Sequence, residues 1–186
     1  MLRAHYFFEL ARRYGDIAMP LEVLTEEEAN TIGKTPFSEV ISFIVSECDD
    51  AANNLPDSYV NEPGAEIGRV TKGFAMAVKS KALLYAASKL HNPSMDTELW
   101  KKSAKAAIDI INTGLYSLDP QESANNLDSK EVVLMRINGD DSNFEMFNFP
   151  LRMTAGIRTS SLIPYSNYPS QNLVDAFETV NGYKVT

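Results

Sequence analysis

A chain of 186 residues with 44% hydrophobic and 10% aromatic content suits a single domain that buries roughly 70% of the surface its unfolded form exposes. Its formal charge of −8 argues against a nucleic-acid binder, which needs a basic face, and no apolar run is long enough to span a membrane. Cys48 is the only cysteine, which excludes an intrachain disulfide and any zinc site built from cysteines.

Residues 1 to 14 predict a helix with Leu2, Tyr6, Leu10 and Ala11 along one side and Gly15 placed to stop it. Arg3, His5, Glu9, Arg12 and Arg13 leave no uninterrupted apolar core near Met1, so this is not a signal peptide. No N-cap precedes the helix, and the chain is expected to start inside an element that was once longer. Pro20 disfavours helix at Met19, so Asp16 to Leu21 should be extended. Thr25 to Glu28 spells a capping box that opens a short turn.

Thr35-Pro36 signals the next helix, with Thr as cap and Pro at the first helical position. Phe37, Val40, Ile41, Ile44, Val45, Cys48, Ala51, Ala52 and Leu55 then recur at steps of three and four until Pro56 ends the run. On this stripe Cys48 reads as a small buried hydrophobe.

Residues 68 to 113 form the centre of the chain: two helices joined by a short Asn-Pro loop, with Thr71 as cap of the first. In the first, Ala75, Ala82 and Ala86 make a face small enough for another helix to approach closely. The second repeats apolar residues at Trp100, Ala104, Ala107, Ile108 and Ile111, the pattern of a half-buried helix. Pro36 and Thr71 each open a helix and lie 35 positions apart, so the chain to Gly114 reads as two helical hairpins of tetratricopeptide-like period.

Beyond Pro120 the texture changes. EVVLMRI, residues 131 to 137, is a short strand candidate between polar loops, and residues 144 to 169 alternate aromatics with Pro, Asn and Ser without a sustained period. Ser170 caps a short helix through Leu173, Val174 and Phe177. The fold class is therefore mainly α, with a tetratricopeptide-like helical part over 1–120, an irregular loop-rich segment over 121–186, and at most one or two short strands.

Charge is unevenly spread. Residues 21 to 62 hold ten acids against Lys34 alone, while over residues 68 to 105 Arg69, Lys72, Lys79, Lys81, Lys89, Lys101, Lys102 and Lys105 outnumber Asp96 and Glu98. Either the acidic segment lies beside the basic hairpin, or these are two solvated faces of opposite sign.

For chemistry, His5 and Glu9 share a helix face at a spacing that could hold half a metal site, and His91 follows a different helix. Asp140, Asp141, Asn143 and Glu145 offer oxygens without the regular spacing of a calcium loop, and a polar turn is the better reading. No nucleophile motif, phosphate-cradling loop or dinucleotide fingerprint is present, so neither an enzyme nor a cofactor is expected. The positive feature is the aromatic and amide-rich stretch. Its planar rings can stack on the apolar faces of sugars while Asn and Arg bond hydroxyls, which makes Asn143, Phe144, Arg158, Tyr165, Asn167 and Tyr168 the candidate ligand residues. The competing reading has these aromatics anchoring the segment to the helical core.

Four stretches, in order, resemble the SusD/RagB family of bacterial outer-membrane nutrient-binding proteins. LRAHYFFELARRYGDIAMPL is similar to the family's segment ending in Tyr-Gly-Asp, through Arg3, Ala4, Tyr6, Tyr14, Gly15 and Asp16. TPFSEVISFIVSECDDAANNLP resembles its isoleucine-rich helix ending in Leu-Pro, and GRVTKGFAMAVKSKALLYAAS matches most closely, through Gly68, Arg69, Thr71, Lys72 and Tyr85 among others. YPSQNLVDAFETVNGYKV resembles a fourth family stretch.

The resemblance implies a SusD-like α-α superhelix of which this chain is an internal piece of one domain. It further implies a non-enzymatic, cell-surface protein of the outer membrane that captures a glycan and hands it to a SusC-type TonB-dependent transporter. Membrane contact would run only through a lipid anchor that this chain does not carry, because Cys48 sits mid-helix. The helices would be scaffold and transporter contact. The alternative is a soluble tetratricopeptide-like adaptor that binds peptide in a groove lined by lysines such as Lys79 and Lys101.

Overall fold

The computed structural model describes residues 1–59, 68–119, 129–135 and 170–177. The chain divides into two compact units, Met1–Ile137 and Asn138–Thr186. The described residues of the first unit hold five helices: α1 (Leu2–Tyr14), α2 (Glu26–Thr31), α3 (Phe37–Asn54), α4 (Lys72–Ala87) and α5 (Thr97–Asn112). In the second, the short helix α6 (Gln171–Asp175) begins where Ser170 Oγ accepts the Leu173 N–H at 3.3 Å, as the sequence predicts.

The helices stack in sequence. α3 packs on α4 and α4 on α5, while α1 lies mainly against α3. The core sits between α1, α3 and α4, where Ala4, Phe7, Phe8 and Ala11 meet Val40, Ile41, Ile44 and Cys48 of α3 and Val78 and Ala82 of α4. The Phe8 ring meets Tyr85 edge-on, with centroids 5.4 Å apart. Burial pushes the Cys48 thiol up to about 12, so it remains a protonated, inert hydrophobe.

Two predicted helix faces turn largely outward, with Ala11 of the α1 set the exception. On α1 the buried residues are Ala4, Phe7, Phe8 and Ala11, whereas Leu2, Tyr6 and Leu10 are exposed. Both sets have helical spacing, and the buried one pairs two phenylalanines with two alanines, so the backbone approaches α3 closely while the rings fill the gap. On α5 the helix turns Ser103 and Ala106 inward, and Trp100, Ala104, Ala107, Ile108 and Ile111 face out. Small residues are again the buried ones, which lets the α5 backbone approach α4 closely.

The caps also differ in part. α2 carries the predicted capping box, with Glu28 N–H donating to Thr25 Oγ1 at 3.3 Å and Thr25 N–H to Glu28 Oε2 at 2.8 Å. The Glu28 carboxyl is held below its ordinary value by those Thr25 donors. For α3 the cap position falls on Pro36, and Thr35 is instead drawn into an antiparallel bridge with Ile17. The orphan Phe37 N–H donates to Asp16 Oδ1 at 2.8 Å, a cap delivered from 21 residues upstream. Thr71 does occupy the cap position of α4, but its buried hydroxyl makes no capping bond and has no hydrogen-bond partner among the described residues.

The α4–α5 turn is built around Asn92, 2% exposed. Its Oδ1 accepts the Asp96 N–H at 2.8 Å and its Nδ2 donates to the Asp96 carbonyl at 3.0 Å. Asp96 in turn caps α5 by accepting the Glu98 N–H at 2.9 Å.

After α5 the chain returns beneath α4, where Tyr116 lies against Gly73 so closely that a Cβ there would fall on the phenol hydroxyl. Asp119 ties this return to the next described segment, accepting from Ser129 Oγ at 2.6 Å and the Lys130 N–H at 2.9 Å. Residues 131–135 carry no strand pairing. Instead Val132, Val133 and Leu134 close a cavity between α1 and α4, so their apolar character serves a helix surface rather than a sheet. The rest of that candidate strand lies outside the described residues.

Candidate functional site

Asn143, Phe144, Arg158, Tyr165, Asn167 and Tyr168 all lie outside the described residues, as does the polar turn at 140–145. The described helices present several concavities, among them a groove and a smaller cavity.

The larger, about 530 Å³, is a groove between α3 and α5 with α4 as its floor. It exists because α3 and α5 each pack on α4 and, among the described residues, not on one another. Ile41 and Val45 form one wall, Leu83 and Ala86 the floor, and Leu99 and Ala106 the other wall.

At the start of α3 the His91 imidazole stacks flat on the Phe37 ring, with centroids 3.5 Å apart and planes 8° from parallel. The turn holds His91 there, since its N–H donates to the Ser88 carbonyl at 3.0 Å and the neighbouring Asn92 N–H does the same at 2.8 Å. Burial lowers the His91 pKa, opposed by the Asp16 carboxylate, so the ring stacks in its neutral form near neutral pH.

The lysines are arranged asymmetrically. Lys79 reaches from the floor to Asp49 Oδ1 at 2.6 Å, and Lys105 pairs along α5 with Asp109 at 3.0 Å. Lys102 also lines the α5 wall and has no ion pair among the described residues. Lys101, expected beside Lys79, is not in the groove but pairs with Glu98 at 2.7 Å. The acidic segment does meet the basic hairpin at two points, Lys79–Asp49 and Lys72–Asp57, while Glu47 of α3 turns to Arg3 of α1 in a two-pronged contact at 2.6 and 3.0 Å.

The smaller cavity, about 340 Å³, lies between α1 and α4 and includes His5, Glu9 and Lys81. His5 Nδ1 is buried with no hydrogen-bond partner among the described residues, and the Glu9 carboxylate is taken by Arg12 at 2.6 Å and Arg13 at 3.1 Å. Among the described residues no three His, Cys, Asp or Glu side chains cluster as a metal would require.

Sequence reasoning offered a lysine-lined groove through Lys79 but not the walls of this one. Its residues were legible as apolar stripes, but Phe37 and His91 are 54 positions apart, and nothing local to either announces their stack.

No family model matches the chain, and no curated protein does. Solved structures do. A SusD-like protein from Bacteroides fragilis NCTC 9343 shares 29% identity and a TM-score of 0.60, covering 75% of this chain and 26% of that one. A SusD-like carbohydrate binding protein from the same organism shares 30% identity and a TM-score of 0.55, covering 69% of this chain and 24% of that one. A SusD homolog from Bacteroides thetaiotaomicron VPI-5482, at 24% identity and a TM-score of 0.52 over 63% of this chain and 22% of that one, matches in fold. The chain spans about a quarter of the length of these structures. Its stacked helices and its residue identity to two of them make the chain SusD-like.

Proposed function

We propose that this chain is part of a non-catalytic, cell-surface glycan-binding protein of the outer membrane. It would deliver its ligand to a SusC-type TonB-dependent transporter and be held at the membrane by a lipid anchor. The observation that carries the reading is the likeness to a SusD-like carbohydrate binding protein at 30% identity over 69% of this chain. The helical part, 1–120, serves as scaffold within the same domain as the loop-rich part, 121–186.

Ligand contact falls to that second part. Phe144, Tyr165 and Tyr168 supply planar rings for the apolar faces of a sugar, and Asn143, Arg158 and Asn167 supply amide and guanidinium groups for its hydroxyls. These side-chain types recognise an uncharged, hydroxyl-rich ligand without a metal or cofactor.

The test is a glycan array followed by calorimetric titration of whichever oligosaccharide is retained. Tyr165→Ala and Tyr168→Ala should each weaken that binding by about tenfold, the equivalent of one lost stacking contact. Absence of retention across plant, host and microbial glycans would overturn the reading. Recovery of a TonB-dependent transporter with the full-length protein from solubilised outer membranes tests delivery, and recovery of none would remove that part.

A further inference from the structure

We propose that the groove between α3 and α5 docks an amphipathic helix of a partner protein, with aliphatic residues on its inserted face and carboxylates along one edge. The site goes beyond the glycan reading and does not depend on it.

Each wall is a helix contributing successive turns. Phe37, Ile41 and Val45 follow one another at i, i+4 and i+8, and α5 contributes from Leu99 to Asp109. At 1.5 Å per residue these walls run for about 12 to 15 Å, the length of two to three helical turns. A trough of that length, apolar along its floor and flanked by helices that do not touch each other, has the shape a further helix fills with side chains at i, i+3 or i+4, and i+7.

Charge selects the partner and its orientation. The α3 wall is neutral, with Ser38 and Ser42 at its edge, and Ser42 Oγ already donates to the Ser38 carbonyl at 2.9 Å. The α5 wall and floor hold Lys79, Lys102 and Lys105 against one lining carboxylate, Asp109. Lys102 has no ion pair among the described residues, and Lys79 and Lys105 hold solvent-exposed carboxylates of the kind that exchange readily. An incoming helix therefore places its acidic edge towards α5 and a neutral edge towards α3. A basic helix would meet Lys102 with no carboxylate to offset it among the described residues.

The test uses the 186-residue chain and a fluorescein-labelled, 18-residue helical peptide. The peptide carries leucines at i, i+3, i+4 and i+7 and glutamates along one edge, and its counterpart carries lysine for every glutamate. Fluorescence anisotropy should show the glutamate peptide binding at least about tenfold more tightly than the lysine peptide. Lys102→Glu with Lys105→Glu, both on the exposed side of α5, should reverse the order. Ser42→Trp, an exposed position whose new ring occupies the groove, should abolish binding of both peptides, with circular dichroism verifying that every variant is folded.

Equal binding of the two peptides, binding indifferent to Ser42→Trp, or no binding overturns the proposal. So does self-association of the chain that Ser42→Trp removes, because the groove would then belong to a second copy.

Discussion

Two faces of the same helical stack have similar residue chemistry and opposite fates. The inner face of α3 places Val40, Ile44 and Cys48 at helical spacing and buries each to 1% exposure or less. The outer face of α5 places Trp100, Ala104, Ile108 and Ile111 at the same kind of spacing, and Ile111 is 74% exposed. Periodicity therefore identifies a helix with an apolar side, but which side meets its neighbour is settled by the neighbour. α3 is sandwiched between α1 and α4, so its large side chains have partners, whereas among the described helices α5 packs on α4 alone, with Ser103 and Ala106 its buried residues.

The largest test of that contrast removes a ring from the sandwich. Phe8 is 2% exposed and touches both the α3 cluster and Tyr85, so Phe8→Ala should lower stability by about 3–5 kcal/mol. Chemical denaturation would register this as a lower midpoint at an unchanged slope, and a loss under about 1 kcal/mol would show that α1 is not part of the core.

Next comes the underside of α4. Gly73→Ala puts a methyl group where the Tyr116 hydroxyl lies, and the expected loss is about 1–3 kcal/mol as the ring is displaced. Combining it with Tyr116→Ala isolates the mechanism, because the clash vanishes and Gly73→Ala should then be nearly neutral in that background. Strict additivity of the two changes would mean that the ring does not rest on α4.

The cap of α3 is a smaller effect with a sharper lesson. Asp16→Ala leaves the Phe37 N–H without its acceptor, for an expected loss of about 0.5–2 kcal/mol, while Thr35→Ala should leave the start of α3 intact. Hydrogen exchange at the Phe37 amide distinguishes the two, and faster exchange in Thr35→Ala alone would restore the local cap.

That pair of residues shows what the sequence could and could not reveal. Helix existence was legible throughout because caps, glycines and three-to-four spacing are local properties, and the capping box of α2 is entirely local. Asp16 as a cap was illegible because it acts across 21 residues, and the inward faces of α1 and α5 were misread because apolar residues occur on both sides of those helices. Large residues were taken as the buried ones. Close helix approach instead favours alanine and serine, which carry little hydrophobic signal. The walls of the groove failed to show for the same reason as the cap, since three helices from separate stretches make them. The proposed ligand residues, Asn143 to Tyr168, rest on side-chain chemistry.

A pH titration separates the local from the tertiary in another way. The Glu28 carboxyl is depressed below its ordinary value of 4.5 by the Thr25 donors, so its contribution is present above that value and lost as pH falls through the folded one. Acidification below about 4.5 should therefore fray α2, which buries no residue, before it loosens the α1–α3–α4 core. Amide shifts of residues 25 to 31 moving together with the core signals would contradict that order.

The smallest expected effect is the most informative about α5. Ile111→Ser and Ile108→Ser alter side chains that are 74% and 52% exposed, so each should change the stability of this chain by no more than about 0.5 kcal/mol. The same exchange at Ile44, which is fully buried, removes a core side chain and buries a hydroxyl, for a loss of at least about 2–5 kcal/mol. Thermal melts of the three variants measure the distance between the two faces directly. If Ile111→Ser destabilises the chain as Ile44→Ser does, the outer face of α5 is covered in solution and the contrast between the faces collapses. If it does not, the apolar stripe of α5 is a surface that contributes nothing to the folding of this chain.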